Sequence, residues 1–155
     1  MLTLLLTFLH ITAMFTAVMV AFGSGLVMRV AYMTGQVAAI RGVGMASARL
    51  GRFIPILFII GGLLGLLTAI YTGVDLLSPW LVIAYVLFTI AMLIGIVENA
   101  PWGRRMGALL AQTPDGPLTP EITAMFTDTR VVVLTVVDYL VVVLIIFDMV
   151  VKPFS

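Results

Sequence analysis

Residues 53–74 read FIPILFIIGGLLGLLTAIYTGV and contain no charged side chain. A helix needs about 20 mostly apolar residues to cross the roughly 30 Å hydrocarbon core of a bilayer, and this stretch is long enough. Arg52 precedes it and Asp75 follows it, so the charges lie at its ends. The stretch therefore predicts a transmembrane helix.

Three further stretches have the same character, at residues 2–28, 79–97 and 131–151. The last differs from the others because it carries two acidic residues, Asp138 and Asp148. Since a backbone can cross lipid only with its hydrogen bonds satisfied internally, each stretch should be a helix. The sequence predicts an all-α integral membrane four-helix bundle, a single domain over residues 1–155 with helical extensions on the cytoplasmic side.

The composition agrees with a membrane protein and excludes several classes of function. Of the 155 residues, 63% are hydrophobic and 10% are charged, and the mean hydropathy is +1.26. A soluble domain is nearer half apolar and a quarter charged. The net charge of +1 provides no basic patch for nucleic acid. The absence of cysteine excludes disulfides and thiolate metal sites, and the single histidine excludes a cluster of imidazole ligands within one chain.

The basic residues are distributed asymmetrically between the two sides of the predicted bundle. Lys152 stands alone on one side, whereas the connections between spans one and two and between spans three and four hold all the others: Arg29, Arg41, Arg49, Arg52, Arg104, Arg105 and Arg130. Positive residues favour the cytoplasmic side of a membrane. The pattern predicts a multi-pass protein of the inner (cytoplasmic) membrane with both termini outside.

Both cytoplasmic connections show helical features of their own. Apolar residues recur at helical spacing within 29–52, which predicts a helix that loosens near Gly42 and Gly44. Residues 102–112 predict a short amphipathic helix. Thr119, followed by Pro-Glu, is a typical helix start, so the fourth span should begin as a helix on the cytoplasmic side.

Small residues recur at four-residue spacing in the first two spans. In lipid, helices associate largely through close backbone contact at small residues, so these stripes predict a tight antiparallel pair, with a homodimer surface as the alternative. The two stripes are Ala13, Ala17, Ala21 and Gly25 in span one, and Gly61, Gly65, Ala69 and Gly73 in span two.

His10 and Asp138 are ionisable groups inside predicted spans, where such groups normally face a partner or a water-filled cavity. Their depths differ by about one helical turn if the spans start as predicted. A buried polar pair between them is possible if spans one and four are neighbours. The pair could be a packing contact, or Asp138 could belong to a proton-coupled site. Near the outer boundary, Asp148 should pair with Lys152 four residues later.

A third possibility makes His10 a ligand to haem b or copper. His10 and Met14 share a helix face, and Met92 should lie at a similar depth to Met14, so the three form a candidate copper site with soft thioether ligands. Bis-imidazole haem ligation would require a dimer, because the chain has one histidine.

The order of several short motifs resembles a known group of proteins. Leu9-His10 lies early in span one, Arg52–Pro55 (RFIP) opens span two, and Met149–Pro153 (MVVKP) lies at the end of the last span. These features resemble a bacterial family of small predicted integral membrane proteins of unknown function. The similarity extends more distantly to the copper-resistance D membrane domain and to the four-helix membrane protoporphyrinogen oxidase. The resemblance implies a four-helix topology in a bacterial membrane, and its copper branch implies His10 as a ligand.

These features favour a non-enzymatic membrane protein that serves as a structural or accessory component and contacts lipid, further copies of itself or a larger complex. A haem- or copper-handling protein using His10 is the first alternative. A small proton-coupled transporter using Asp138 is the second.

Overall fold

The computed structural model describes residues 1–153, which form helices joined by short turns. The all-α class is therefore confirmed. Four helical segments are long and apolar enough to cross a membrane, as expected of a multi-pass membrane protein: Leu2–Met33, Val37–Thr72, Pro79–Gln112 and Thr129–Val151. Over the described residues the α-helices are α1 (Leu2–Met33), α2 (Val37–Gly51), α3 (Ile54–Thr72), α4 (Pro79–Ile94), α5 (Ala100–Gln112), α6 (Pro120–Thr127) and α7 (Thr129–Val151).

The chain divides into two compact units. Unit 1 contains Met1–Thr34 and Ala39–Leu76, and unit 2 contains Gly35–Ala38 and the chain from Leu77 onward. In unit 1, α1 packs against α3; in unit 2, α4 packs against α7. Each unit is thus built around one pair of long apolar helices.

The α1–α3 pair is antiparallel and close. A β carbon on Gly65 would lie 2.8 Å from Cε1 of His10, and one on Gly61 would lie 2.5 Å from Sδ of Met14. Advancing one turn along α1 therefore corresponds to stepping back one turn along α3. Because real β carbons essentially never approach other atoms so closely, a side chain at either position would force the facing side chain of α1, Met14 or His10, to move.

The α4–α7 pair is also antiparallel, with contacts near both ends. At one end, Nζ of Lys152 lies 5.3 Å from the ring centroid of Trp80. Beyond the other end of α4, the Asn99 amide donates a hydrogen bond to Asp138, which lies within α7. Lys152 adopts a left-handed conformation with φ of 47° at the end of α7.

Between α4 and α5 the helix continues as a π-helical turn, Gly95–Asn99. The sequence explains this π-helical turn. Pro101 has no N–H to donate to the carbonyl four residues earlier, so the regular ladder is interrupted there. The N–H of Ala100 bonds instead to the carbonyl of Gly95, five residues back. Such turns add a residue to the helix and change which side chains face a neighbour.

Helices α5 and α6 form a small cluster within unit 2. The indole of Trp102 donates to the carbonyl of Met125 at 3.3 Å and meets the Phe126 ring edge-on at 5.4 Å. The Thr119 hydroxyl caps α6 by accepting from the N–H of Ile122. A hydrogen bond from its own backbone N–H and a second from the Thr119 hydroxyl hold the pKa of Glu121 below its usual value.

One expectation about the cytoplasmic connections differs from the structure. The helix does not loosen near Gly42 and Gly44, because α2 runs unbroken through both. The break falls earlier, at Gly35, whose φ of 70° ends the path of α1 before α2 begins. Glycine within a helix lowers its propensity by only about 1 kcal/mol, which the surrounding helix overcomes here.

Candidate functional site

His10 is half-buried on α1, and its imidazole links the two helices of unit 1. Nδ1 lies 2.7 Å from the carbonyl oxygen of Gly61. Because a carbonyl only accepts, Nδ1 must carry the hydrogen and donate it. In the neutral ring this leaves Nε2 with its lone pair, which is the tautomer that a histidine ligand to a metal uses.

The other candidate ligands are divided between the two units. Met14 lies one turn from His10 on the face of α1 that packs on Gly61. Met92 is half-buried on α4, in unit 2. Unit 1 thus provides one nitrogen and one thioether, fewer donors than a closed metal site normally has. Within residues 1–153, no three histidine, aspartate or glutamate side chains come close enough together to hold a metal ion.

The residues of the two small-residue stripes on α1 and α3 differ in how deeply they are buried. Ala17 is fully buried, and Gly61 and Ala69 are also buried. Gly25 and Gly73 are exposed, and Gly73 ends α3 in a left-handed conformation with φ of 69°. The remaining members are half-buried: Ala13, Ala21 and Gly65. The α1 stripe thus faces α3 around Ala17 and turns outward at Gly25.

Asp138 is half-buried on α7 and accepts a hydrogen bond from the Asn99 amide at 3.3 Å. Asn99 belongs to the π-helical turn, so this bond joins the third and fourth spans. His10 and Asp138 therefore each have a partner in their own unit. The expected pairing of these two side chains with each other remains a prediction.

A second polar link lies in the same region of unit 2. Glu98, also in the π-helical turn, is 6% exposed, and its carboxylate lies 2.8 Å from the guanidinium of Arg130. In the sequence, Glu98 directly follows the predicted third span, 79–97. Burying a carboxylate is costly without a partner, and Arg130 provides one from the start of α7 while remaining largely exposed.

Asp148 is the polar residue that sequence reasoning placed least well. It is 2% exposed, and neither carboxylate oxygen has a hydrogen-bond partner. The expected pair with Lys152 is not formed, because the lysine side chain extends over the Trp80 ring. The only bond between the two residues is from the Lys152 N–H to the Asp148 carbonyl, at 2.8 Å.

Comparison with known proteins adds no identification. No family model, curated protein or solved structure matches this chain.

Proposed function

We propose that this protein is a non-enzymatic integral membrane protein that serves as a structural or accessory component of a membrane complex. The observation that carries the proposal is that polar side chains in the spans form hydrogen bonds between helices. The His10–Gly61 and Asn99–Asp138 bonds each join two helices of one unit. Buried polar groups in membrane helices commonly stabilise helix pairs in this way.

The exposed part of the α1 stripe supports association with another helix. Lipid chains do not need small residues to pack well, whereas a helix can approach another closely only where side chains are small. Gly25 is exposed and continues the stripe past Ala17, which is already covered. The protein therefore presents a close-contact surface for a partner helix, from a second copy or from another membrane protein.

The proposed orientation places the arginine-rich connections in the cytoplasm of a bacterium and both termini outside. The hydrogen bonds between the two connections support a common side. The N–H of Val37 donates to Gly116, and the N–H of Leu118 donates to Gly35, at 2.9 and 3.2 Å. Residues from both connections thus lie together in unit 2.

A haem- or copper-handling protein is the second candidate, and the His10 tautomer favours it. The Gly61 carbonyl holds the ring with Nε2 able to act as a ligand. The more distant resemblance to the copper-resistance D membrane domain points to the same residue. His10 would hold the metal or haem, which would supply redox chemistry when bound.

A cross-linking experiment on native membranes tests the accessory proposal. The chain has no cysteine, so Gly25→Cys provides a single attachment point for a short photoactivatable maleimide. We expect an adduct of defined mass from Gly25→Cys and none from the buried control Ala17→Cys. The absence of any adduct would contradict the proposal. A Soret band or stoichiometric copper that is lost in His10→Ala would replace it with the second candidate.

A further inference from the structure

An open groove runs along unit 1 between α1 and α2, with a volume of about 560 Å³. Its walls are mainly apolar side chains that remain exposed, including Phe15, Met19 and Leu50. Ser24 and Ser47 add hydroxyl groups to the lining. The groove lies on a different side of α1 from the His10–Met14 face that packs on α3. It is therefore separate from the contact that holds the unit together.

The groove is open because α1 and α2 make few contacts with each other. A β carbon built on Gly23, in the α1 wall, would meet no atom within 4 Å. This contrasts with Gly61 and Gly65 on α3, where the partner helix fills the space that the missing side chain leaves. The backbones of α1 and α2 thus leave a channel that neither helix fills with its own side chains.

The position of the groove relative to the membrane follows from the α1–α3 register. α3, Ile54–Thr72, is about 28 Å long, which matches the hydrocarbon thickness. Because Met14 lies at the level of Gly61, the start of α3 lies near residue 21 of α1. The groove walls on α1 extend to both sides of that level. The groove therefore crosses the boundary between the acyl chains and the headgroup layer.

Two exposed arginines lie at this boundary. Arg49 and Arg52 stand next to Leu50 of the groove wall and just before α3 begins. Nε of Arg52 donates to the carbonyl of Arg49 at 3.0 Å, a bond that does not use its terminal nitrogens. The sequence contains no acidic residue between Arg29 and Arg52. Neither arginine lines the groove itself, but both flank its Leu50 end, where their positive charge is complementary to an anion in the headgroup layer.

We propose that the groove between α1 and α2 binds an anionic phospholipid, with an acyl chain along the apolar walls and the phosphate on Arg49 and Arg52. An acyl chain is narrow enough to lie in the open groove between α1 and α2. Guanidinium groups bind phosphate through paired hydrogen bonds. The proposal does not depend on whether the protein is an accessory subunit.

Binding of phosphatidylglycerol and phosphatidylcholine to the delipidated full chain in detergent, followed by native mass spectrometry, tests the proposal. Phosphatidylcholine carries the same phosphate, but its choline cation cancels the net negative charge. Each basic residue near an anionic surface contributes about fivefold in affinity, so we expect a preference of about thirtyfold for phosphatidylglycerol. Arg49→Gln with Arg52→Gln should abolish this preference. The matched pair Arg104→Gln with Arg105→Gln, on exposed positions of α5, should retain it.

The groove itself is tested by Gly23→Phe, whose ring has space to enter and should block binding of both lipids. Gly23→Ala leaves the channel open and should bind as the parent chain does. Equal binding of the two lipids by the parent chain would overturn the proposal. So would undiminished phosphatidylglycerol binding by Gly23→Phe, or displacement of the lipid by glycerol phosphate, since either would show that the acyl chain is not held in the groove.

Discussion

Replacing Asp148 with valine is expected to raise the free energy of unfolding by about 1–3 kcal/mol, the usual cost of an unsatisfied buried polar group. Both carboxylate oxygens of Asp148 lack partners, and the residue is 2% exposed. Valine has a helix propensity similar to that of aspartate, so the change removes the buried oxygens without a large change in helix propensity. Equilibrium unfolding in mixed detergent micelles would measure the gain.

Asp138→Val provides the matched control on the same helix. Asp138 is half-buried and accepts from Asn99, so its loss should destabilise the chain by about 0.6 kcal/mol, the average for hydrogen bonds between membrane helices. Opposite signs for the two variants would support the account. If Asp148→Val lowered stability instead, Asp148 would have a partner in the working protein, and its role would need to be reassigned.

The second large effect is expected for Gly65→Ala, which should destabilise the chain by about 1–3 kcal/mol. The new β carbon would lie 2.8 Å from Cε1 of His10. Overpacking costs about 1–3 kcal/mol, and moving the ring also weakens its bond to Gly61, worth about 1 kcal/mol. The higher helix propensity of alanine offsets about 1 kcal/mol of this.

The His10→Ala background distinguishes a specific clash from a general effect. There the ring is absent, so Gly65→Ala should cost nothing and can become favourable. Gly23→Ala, where the new carbon meets no atom within 4 Å, should be neutral or stabilising in either background. A similar loss at Gly65 with and without His10 would show that α1 and α3 do not pack in this register.

The helices of the fold could be predicted from the sequence because lipid leaves few alternatives. A long uncharged run such as residues 53–74 must be helical, and it corresponds to α3 at Ile54–Thr72. The ends of helices are predicted less accurately where no residue that terminates a helix follows the apolar run. The first span was expected to end near residue 28, yet α1 continues to Met33 and stops before Gly35.

The polar contacts were less predictable, because they depend on which faces meet after packing. Spacing placed Asp148 and Lys152 on one helix face, but it could not show that the lysine would cover Trp80. The proline at position 101 does indicate that the regular backbone hydrogen bonds of the helix are interrupted there. The residue that this disturbance adds turns Glu98 and Asn99 towards α7, which no periodic pattern indicates.

The sequence indicates which residues are candidates for function more readily than it indicates their hydrogen-bond partners. An intramembrane histidine attracts attention because a charge there is costly, and that argument selected His10. Its partner is a backbone carbonyl, at Gly61. Every residue carries such a group, so composition and spacing give no indication of it.

Cysteine labelling in intact cells tests the central claim, that four helices cross the membrane and return the chain to the side where it started. With no native cysteine, single variants Leu2→Cys, Lys152→Cys and Gln112→Cys can each be exposed to a membrane-impermeant maleimide. The account predicts that Leu2→Cys and Lys152→Cys react from outside, and that Gln112→Cys reacts only after permeabilisation. Labelling of Leu2→Cys and Lys152→Cys from opposite sides would contradict it.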